Sequence, residues 1–183
     1  MLDSTLLQIL VGLVALTVLL SLAYLGWAMT YRWIVRSALL SLVGYYEQVS
    51  AARHSFLSVI RHLIADSDDA LIFFATNAES DDRKALMEIA ERMLITRDEL
   101  DIRRLPFKLE AAAVEIADTA HLLASTAGSL SDGGQAGEIL DRIGGINLKE
   151  VDSQHKLAGR VLDELCIEYK IRDTAVYGGG LYI

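Results

Sequence analysis

The stretch Leu6 to Met29, LLQILVGLVALTVLLSLAYLGWAM, runs for 24 residues without a charged side chain, and it constrains this chain more than any other feature. As an α-helix rising about 1.5 Å per residue it would be about 36 Å long, enough to cross a hydrocarbon core of about 30 Å with some tilt. Asp3 precedes it, Arg32 and Arg36 follow it, and Tyr24, Trp27, Tyr31 and Trp33 cluster at its second boundary. That is the pattern of an interfacial aromatic belt with arginines reaching for headgroups. Because Arg32 is the first cation of the chain, the loop-charge rule predicts that the C-terminal side faces the cytoplasm. A cleaved signal peptide wants a basic start, a shorter apolar core and a small-residue cleavage site, whereas this chain starts MLDST and its apolar run is too long. Residues 1–30 therefore read as a retained single-pass transmembrane anchor in the lipid bilayer.

All 17 Lys and Arg and 24 of the 25 Asp and Glu lie beyond that anchor, which leaves the rest of the chain at a formal charge of −7. A body this acidic is expected to be a poor nucleic-acid binder and not to hug anionic lipid. The single cysteine, Cys166, excludes an intrachain disulfide framework and is compatible with a reducing compartment.

With one proline in 183 residues and few alternating β-branched runs, the chain reads as all-α. Val35, Ala38, Leu42, Tyr45, Val49, Ala52, Phe56, Val59 and Leu63 recur at spacings of three and four. This seam predicts that the membrane helix continues as one amphipathic rod over residues 31–66, packed against a partner copy or against later helices of its own chain. Leu39, Leu40, Val43, Leu57, Ile60 and Ile64 widen the apolar face, which favours burial in an antiparallel helical bundle over a bare coiled coil. Arg36, Glu47, Arg53 and Arg61 fall off the seam, so substitution of Arg53 is expected to be nearly silent. Ser37, Ser41 and Gly44 put small side chains on one flank, where another helix would be able to approach closely; they are one candidate partner contact.

Residues 67–177 should supply the rest of the bundle. The acidic cluster at Asp66 to Asp69 breaks the rod before a short apolar helix over Leu71 to Ala75. Thr76 with Glu79, and Ser80 with Asp81 and Asp82, offer caps for a helix from about Asp81, with Leu86, Ile89, Ala90, Met93 and Leu94 inward. Thr96 with Glu99 resembles a further capping box and predicts a kink near Ile95. Pro106 ends that element and opens the next, whose inward face reads Leu109, Ala112, Ala113, Ile116, Ala120, Leu123 and Ala127. A flexible loop follows over Gly128 to Gly137, then a short helix closed by Gly144 and Gly145. Asn147 with Glu150 fits an N-cap pair for a last helix, with Val151, Ala158, Val161, Leu162, Leu165 and Tyr169 inward. Residues 178–183 read as a flexible tail whose apolar tip, Leu181, Tyr182 and Ile183, is a second candidate partner contact.

Two Asp-x-x-His spacings, Asp118 with His121 and Asp152 with His155, echo the Glu-x-x-His pattern of di-metal four-helix bundles. The helical phase argues against that reading. With Ile116 inward, Asp118 falls on the opposite face, and aspartate is shorter than the glutamate the pattern uses. His54 and His62 lie eight residues apart on the rod, roughly 12 Å along a helix and too far to share a metal. Cys166 sits about 16 Å along its helix from His155, which excludes a thiolate pair within that helix. GGQAG lacks the Gly-Lys-Ser/Thr continuation of a phosphate loop, and no nucleophile elbow, dinucleotide fingerprint or zinc spacing occurs. Arg97, Arg103, Arg104 and Lys108 alternate with Asp98, Glu99 and Asp101, which reads as a salt-bridged face. No catalytic, cofactor-binding or metal-ligating residue is assigned.

The layout of a short tip, one membrane helix and a long helical rod is similar in topology to the peripheral-stalk b subunits of rotary ATP synthases over residues 1 to about 65. Those rods are far more charged, and no function is carried over. The expectation is a membrane-anchored, non-enzymatic helical interaction or scaffold protein, an accessory subunit of a larger membrane-associated complex, meeting other subunits or forming a homo-oligomer. The alternatives are an oligomerising membrane signalling or effector protein and, less favoured, a di-metal bundle enzyme.

Overall fold

The structure is a computed structural model of the chain, and it describes residues 2–65, 68–77, 79–132 and 135–171. Every regular element among them is a helix: α1 Leu2–Ala65, α2 Asp68–Thr76, α3 Asp81–Ile102, α4 Phe107–Ser131, α5 Ala136–Gly145 and α6 Leu148–Glu168. The chain divides into two compact units, Met1–Ser37 and Ala38–Ile183. The uncharged run belongs to the first, and α1 is one unbroken helix through the border.

In the first unit the side chains from Ile9 to Trp27 that are large and apolar are 52–66% exposed on every side of the helix. A helix apolar all round has no face made for water. Three of its aliphatic hydroxyls return to its own backbone: Thr17 donates to the Val14 carbonyl at 2.8 Å, Ser21 to Thr17 at 2.8 Å and Thr30 to Gly26 at 2.9 Å. Turned inward in this way, they leave no hydroxyl proton seeking solvent. Trp27 stacks on Tyr31 with ring centroids 5.7 Å apart, and Tyr24 packs tilted beside it at 6.3 Å.

In the second unit the seam of α1 is covered by later helices of the same chain. Leu39, Leu42, Val43, Val49, Ala52, Phe56, Ile60 and Leu63 are buried, while Leu40 and Ile64 on the edges are exposed. Helix α3 packs against α4, and α4 against α6. Side-chain bonds at the helix ends show the directions. His62 of α1 meets Asp82 at the start of α3, and Arg103, just after α3, reaches back to Ser41 and Tyr45. Arg83 at the start of α3 donates to the Ser131 carbonyl at the end of α4, and Lys108 at the start of α4 pairs with Glu168 at the end of α6. Neighbouring long helices therefore run antiparallel. The short α2 and α5 contact each other, α5 also touches α4, and Phe74 and Ile139 are their buried anchors.

Several local expectations are corrected. Helix α3 is not interrupted near Ile95; it runs unbroken to Ile102. Thr96 is buried, and its hydroxyl donates to the Arg92 carbonyl one turn back at 3.0 Å instead of capping a new helix. Leu94 is 44% exposed, because the buried stripe Leu86, Ile89, Ala90, Met93, Thr96, Leu100 leaves position 94 about 100° off axis. Ser80 occupies the N-cap of α3 without a side-chain cap bond, and the turn before it is held by the Glu79 amide donating to Asn77 Oδ1 at 2.9 Å. The Asn147–Glu150 cap does form: the Glu150 amide donates to Asn147 Oδ1, and the Asn147 amide group donates to the Glu150 carboxylate.

Helix α6 ends in a reciprocal pair of backbone bonds, with Lys170 N–H to the Ile167 carbonyl and Ile171 N–H to the Cys166 carbonyl. Lys170 takes φ 53° to make this turn, a position that normally selects glycine. Burial of Ile171 and Cys166 on either side of it holds the turn in place despite that strain.

Candidate interaction surfaces and a buried polar cluster

Where α6 lies along α1, four polar side chains meet in an otherwise apolar contact. Tyr46 sits half-buried on α1, and His155 is buried on α6. Their rings lie parallel, 1° between planes with centroids 4.7 Å apart, and Tyr46 Oη is 3.1 Å from His155 Nε2. Burial depresses the His155 pKa to about 4, helped by the nearby positive charge of Arg53. Burial also raises the Tyr46 phenol, against the pull of Arg53. Both groups are therefore neutral near pH 7, and the direction of the hydrogen bond between the phenol and Nε2 is set by the imidazole tautomer. The other ring nitrogen, Nδ1, is buried without a hydrogen-bond partner. One turn toward the α6 N-terminus, Arg53 of α1 pairs with Asp152, which also binds Lys156 at 2.6 Å. These cations, Lys156 first, hold the Asp152 carboxyl below its ordinary range.

The close approach depends on Gly159. A Cβ at that position would stand 2.5 Å from Tyr46 Oη, nearer than real Cβ atoms come, and a tight 3.1 Å from Cζ. Asp152, His155, Gly159 and Asp163 repeat at helical spacing, so this face of α6 is a polar stripe, and Asp163 Oδ1 is buried on it without a partner. With Nε2 of His155 engaged by Tyr46, what the cluster does chemically is tie α1 to α6 in one register.

The other histidine and acid candidates lie apart from it. Asp118 and His121 are exposed on α4, with His121 Nδ1 3.5 Å from Arg97. His54 is exposed, and His62 lies beside Asp82. Among the described residues no group of three or more His, Cys, Asp or Glu is placed to hold a metal ion. Cys166 is fully buried. Arg53, expected to be nearly silent, is instead an interhelical partner with a side chain only 18% exposed.

Of the candidate partner contacts, Ser41 Oγ accepts a hydrogen bond from Arg103 at 3.0 Å. A Cβ on Gly44 would meet open space, and Ser37 is exposed in the first unit. Leu181, Tyr182 and Ile183 lie outside the described residues. On the salt-bridged face, Arg97 pairs with Asp101 at 3.5 Å and Arg92 with Glu88 at 2.8 Å, but Arg103 and Lys108 turn to other helices.

One apolar surface was not anticipated. Met87, Leu94, Ile95 and Ile102 are all exposed on the outer side of α3. Their spacing of seven and eight residues is a second apolar stripe, visible in the sequence but masked by the stronger inward one. At the end of the hairpin, Ile102 and Phe107 reach 82% and 84% exposure.

Comparison with family models, curated proteins and solved structures finds no match to this chain.

Proposed function

We propose that this chain is a membrane-anchored, non-enzymatic helical interaction protein, an accessory subunit of a larger membrane-associated assembly. Its N-terminal run spans the bilayer once, and the helices after it stand in the cytoplasm. One observation carries the reading: a single helix changes character along its length. From Ile9 to Trp27 its large apolar side chains are exposed on all sides, whereas from Leu42 its apolar seam is covered by its own chain. Leaving large apolar side chains in water costs about 1.5–3 kcal/mol each, so the first stretch needs another solvent, and it is long and apolar enough to cross a membrane. Arg32 and Arg36 support the orientation. The outer stripe of α3 and the tip Leu181 to Ile183 are the surfaces offered to other subunits.

The test is topological. A phosphatase or fluorescent reporter fused after Ile183 should report a cytoplasmic C-terminus, and the chain should resist alkaline extraction from membranes. Extraction into the soluble fraction, or a shortened chain lacking the apolar run, would refute the anchor. Reporter activity on the far side would refute the orientation.

A further inference from the structure

We infer that the outer face of α3 is a docking site for a cationic amphipathic helix of another protein, one whose seam alternates Lys or Arg with aliphatic residues. This deepens, and rests on, the reading of that stripe as a surface for other subunits. The face has a period of its own. Met87, Glu91, Ile95, Asp98 and Ile102 follow one another at spacings of four, four, three and four, which is the spacing of a helix–helix seam. All five are exposed, and they stand about 120–180° around the helix from buried Met93. Aliphatic and acidic side chains therefore alternate along one outward line, with Leu94 widening it on one side.

The acids on this line are open to a partner. Residues 87–102 carry five acids and two cations, and both cations are held within the helix, Arg92 by Glu88 at 2.8 Å and Arg97 by Asp101 at 3.5 Å. At the start of the same helix Arg83 donates to the Ser131 carbonyl, and Lys84 pairs with Glu79. Glu91 and Asp98 form no ion pair among the described residues. Charge then selects the occupant. In a parallel pair of copies Glu91 would face Glu91 and Asp98 would face Asp98; in an antiparallel pair each acid would lie over an isoleucine, desolvated without a counter-ion. Anionic lipid is repelled by the same carboxylates. A Lys or Arg opposite each acid pairs with it and lays its methylene stem on Met87, Ile95 or Ile102, so one side chain meets both components of the seam.

The experiment uses the full chain in phosphatidylcholine vesicles and two labelled synthetic peptides, each a 22-residue helix matched in length to α3 and held by hydrocarbon staples. One carries Leu and Lys alternating along its seam, the other Leu and Glu. Fluorescence anisotropy, corrected for empty vesicles, should show the lysine peptide binding on the order of tenfold tighter. An exposed ion pair contributes up to about fivefold, and each exchange of Lys for Glu turns attraction into repulsion. Glu91→Lys with Asp98→Lys should invert the preference. Asp118→Lys with Glu138→Lys, the same charge change at exposed acids of α4 and α5, should leave it in place. Equal binding of the two peptides, a preference that survives the first double change, or one that is lost with the second overturns docking on this face. With Ile95→Cys, the native Cys166 being buried, a bismaleimide cross-link between copies would assign the face to a second copy. Quenching of a dye at that position by brominated lipid would assign it to the membrane, and either result overturns the proposal. Release of the chain from the vesicles by alkaline washing marks failure of the anchor instead, which the peptide preference does not read.

Discussion

Gly159→Ala separates the packing argument from simple helix propensity, because the two predict opposite signs. In the interior of α6, alanine in place of glycine should stabilise the helix by about 1 kcal/mol. Against that, the new Cβ would stand 2.5 Å from Tyr46 Oη, so the phenol must leave. Its departure loses a hydrogen bond contributing about 0.5–1.5 kcal/mol and leaves both ring nitrogens of buried His155 unpaired, at about 1–3 kcal/mol. The parallel ring contact adds about 0.5–1.5 kcal/mol. These terms overlap, and a net destabilisation of about 2 kcal/mol is expected, a fall in melting temperature of roughly 5 °C for a body of this size. The assay is thermal unfolding of the full chain in detergent, followed by far-UV circular dichroism. Tryptophan fluorescence would be a poor probe, since Trp27 and Trp33 both lie in the first unit. Tyr46→Phe supplies the control: it removes the clashing oxygen, so Gly159→Ala in that background should recover most of the propensity gain. A single Gly159→Ala variant that melts higher than the parent would refute the close approach of α6 to Tyr46.

Phe56→Ala, at a fully buried site, should cost about 3–5 kcal/mol in the same unfolding assay. Arg53→Ala should cost about 1–2 kcal/mol, between the values for exposed and buried ion pairs, and an unchanged melting temperature would mean the pair contributes nothing. His155 has its pKa lowered to about 4 from about 6.5 in the unfolded chain, so the unfolded state binds more protons between these values. Its contribution is whole above about pH 6.5 and falls by on the order of 3 kcal/mol as pH drops to about 4; a His155→Phe variant should lose that slope in an unfolding series against pH. Lys170→Gly should stabilise by about 1 kcal/mol by relieving the positive φ at the end of α6, and a lower melting temperature would show that the lysine side chain matters more than its backbone.

The all-helical class, the uncharged run, the glycine end of α5, the Asn147 cap and nearly the whole inward face of α4 were legible in the residues, whereas α2 begins at Asp68, three residues before the expected Leu71, and helix covers all but a few residues of the loop expected over Gly128 to Gly137. The legible features rest on local rules: helical period, capping chemistry, and the effect of proline or glycine on the next turn. Which partner the α1 seam would choose was not legible, since a heptad pattern shows only that a face is apolar, and its own chain and a second copy cover it equally well. The folded chain chose its own later helices. Arg53 looked idle because its partner Asp152 is 99 residues away, and no local pattern reports a charge that arrives from that distance. Leu94 was placed inward because two apolar stripes share α3, and only the position of α4 decides which one is covered. Gly159 and Tyr46 carried no signal at all in one dimension; their close approach exists only because packing brings a missing side chain opposite a phenol.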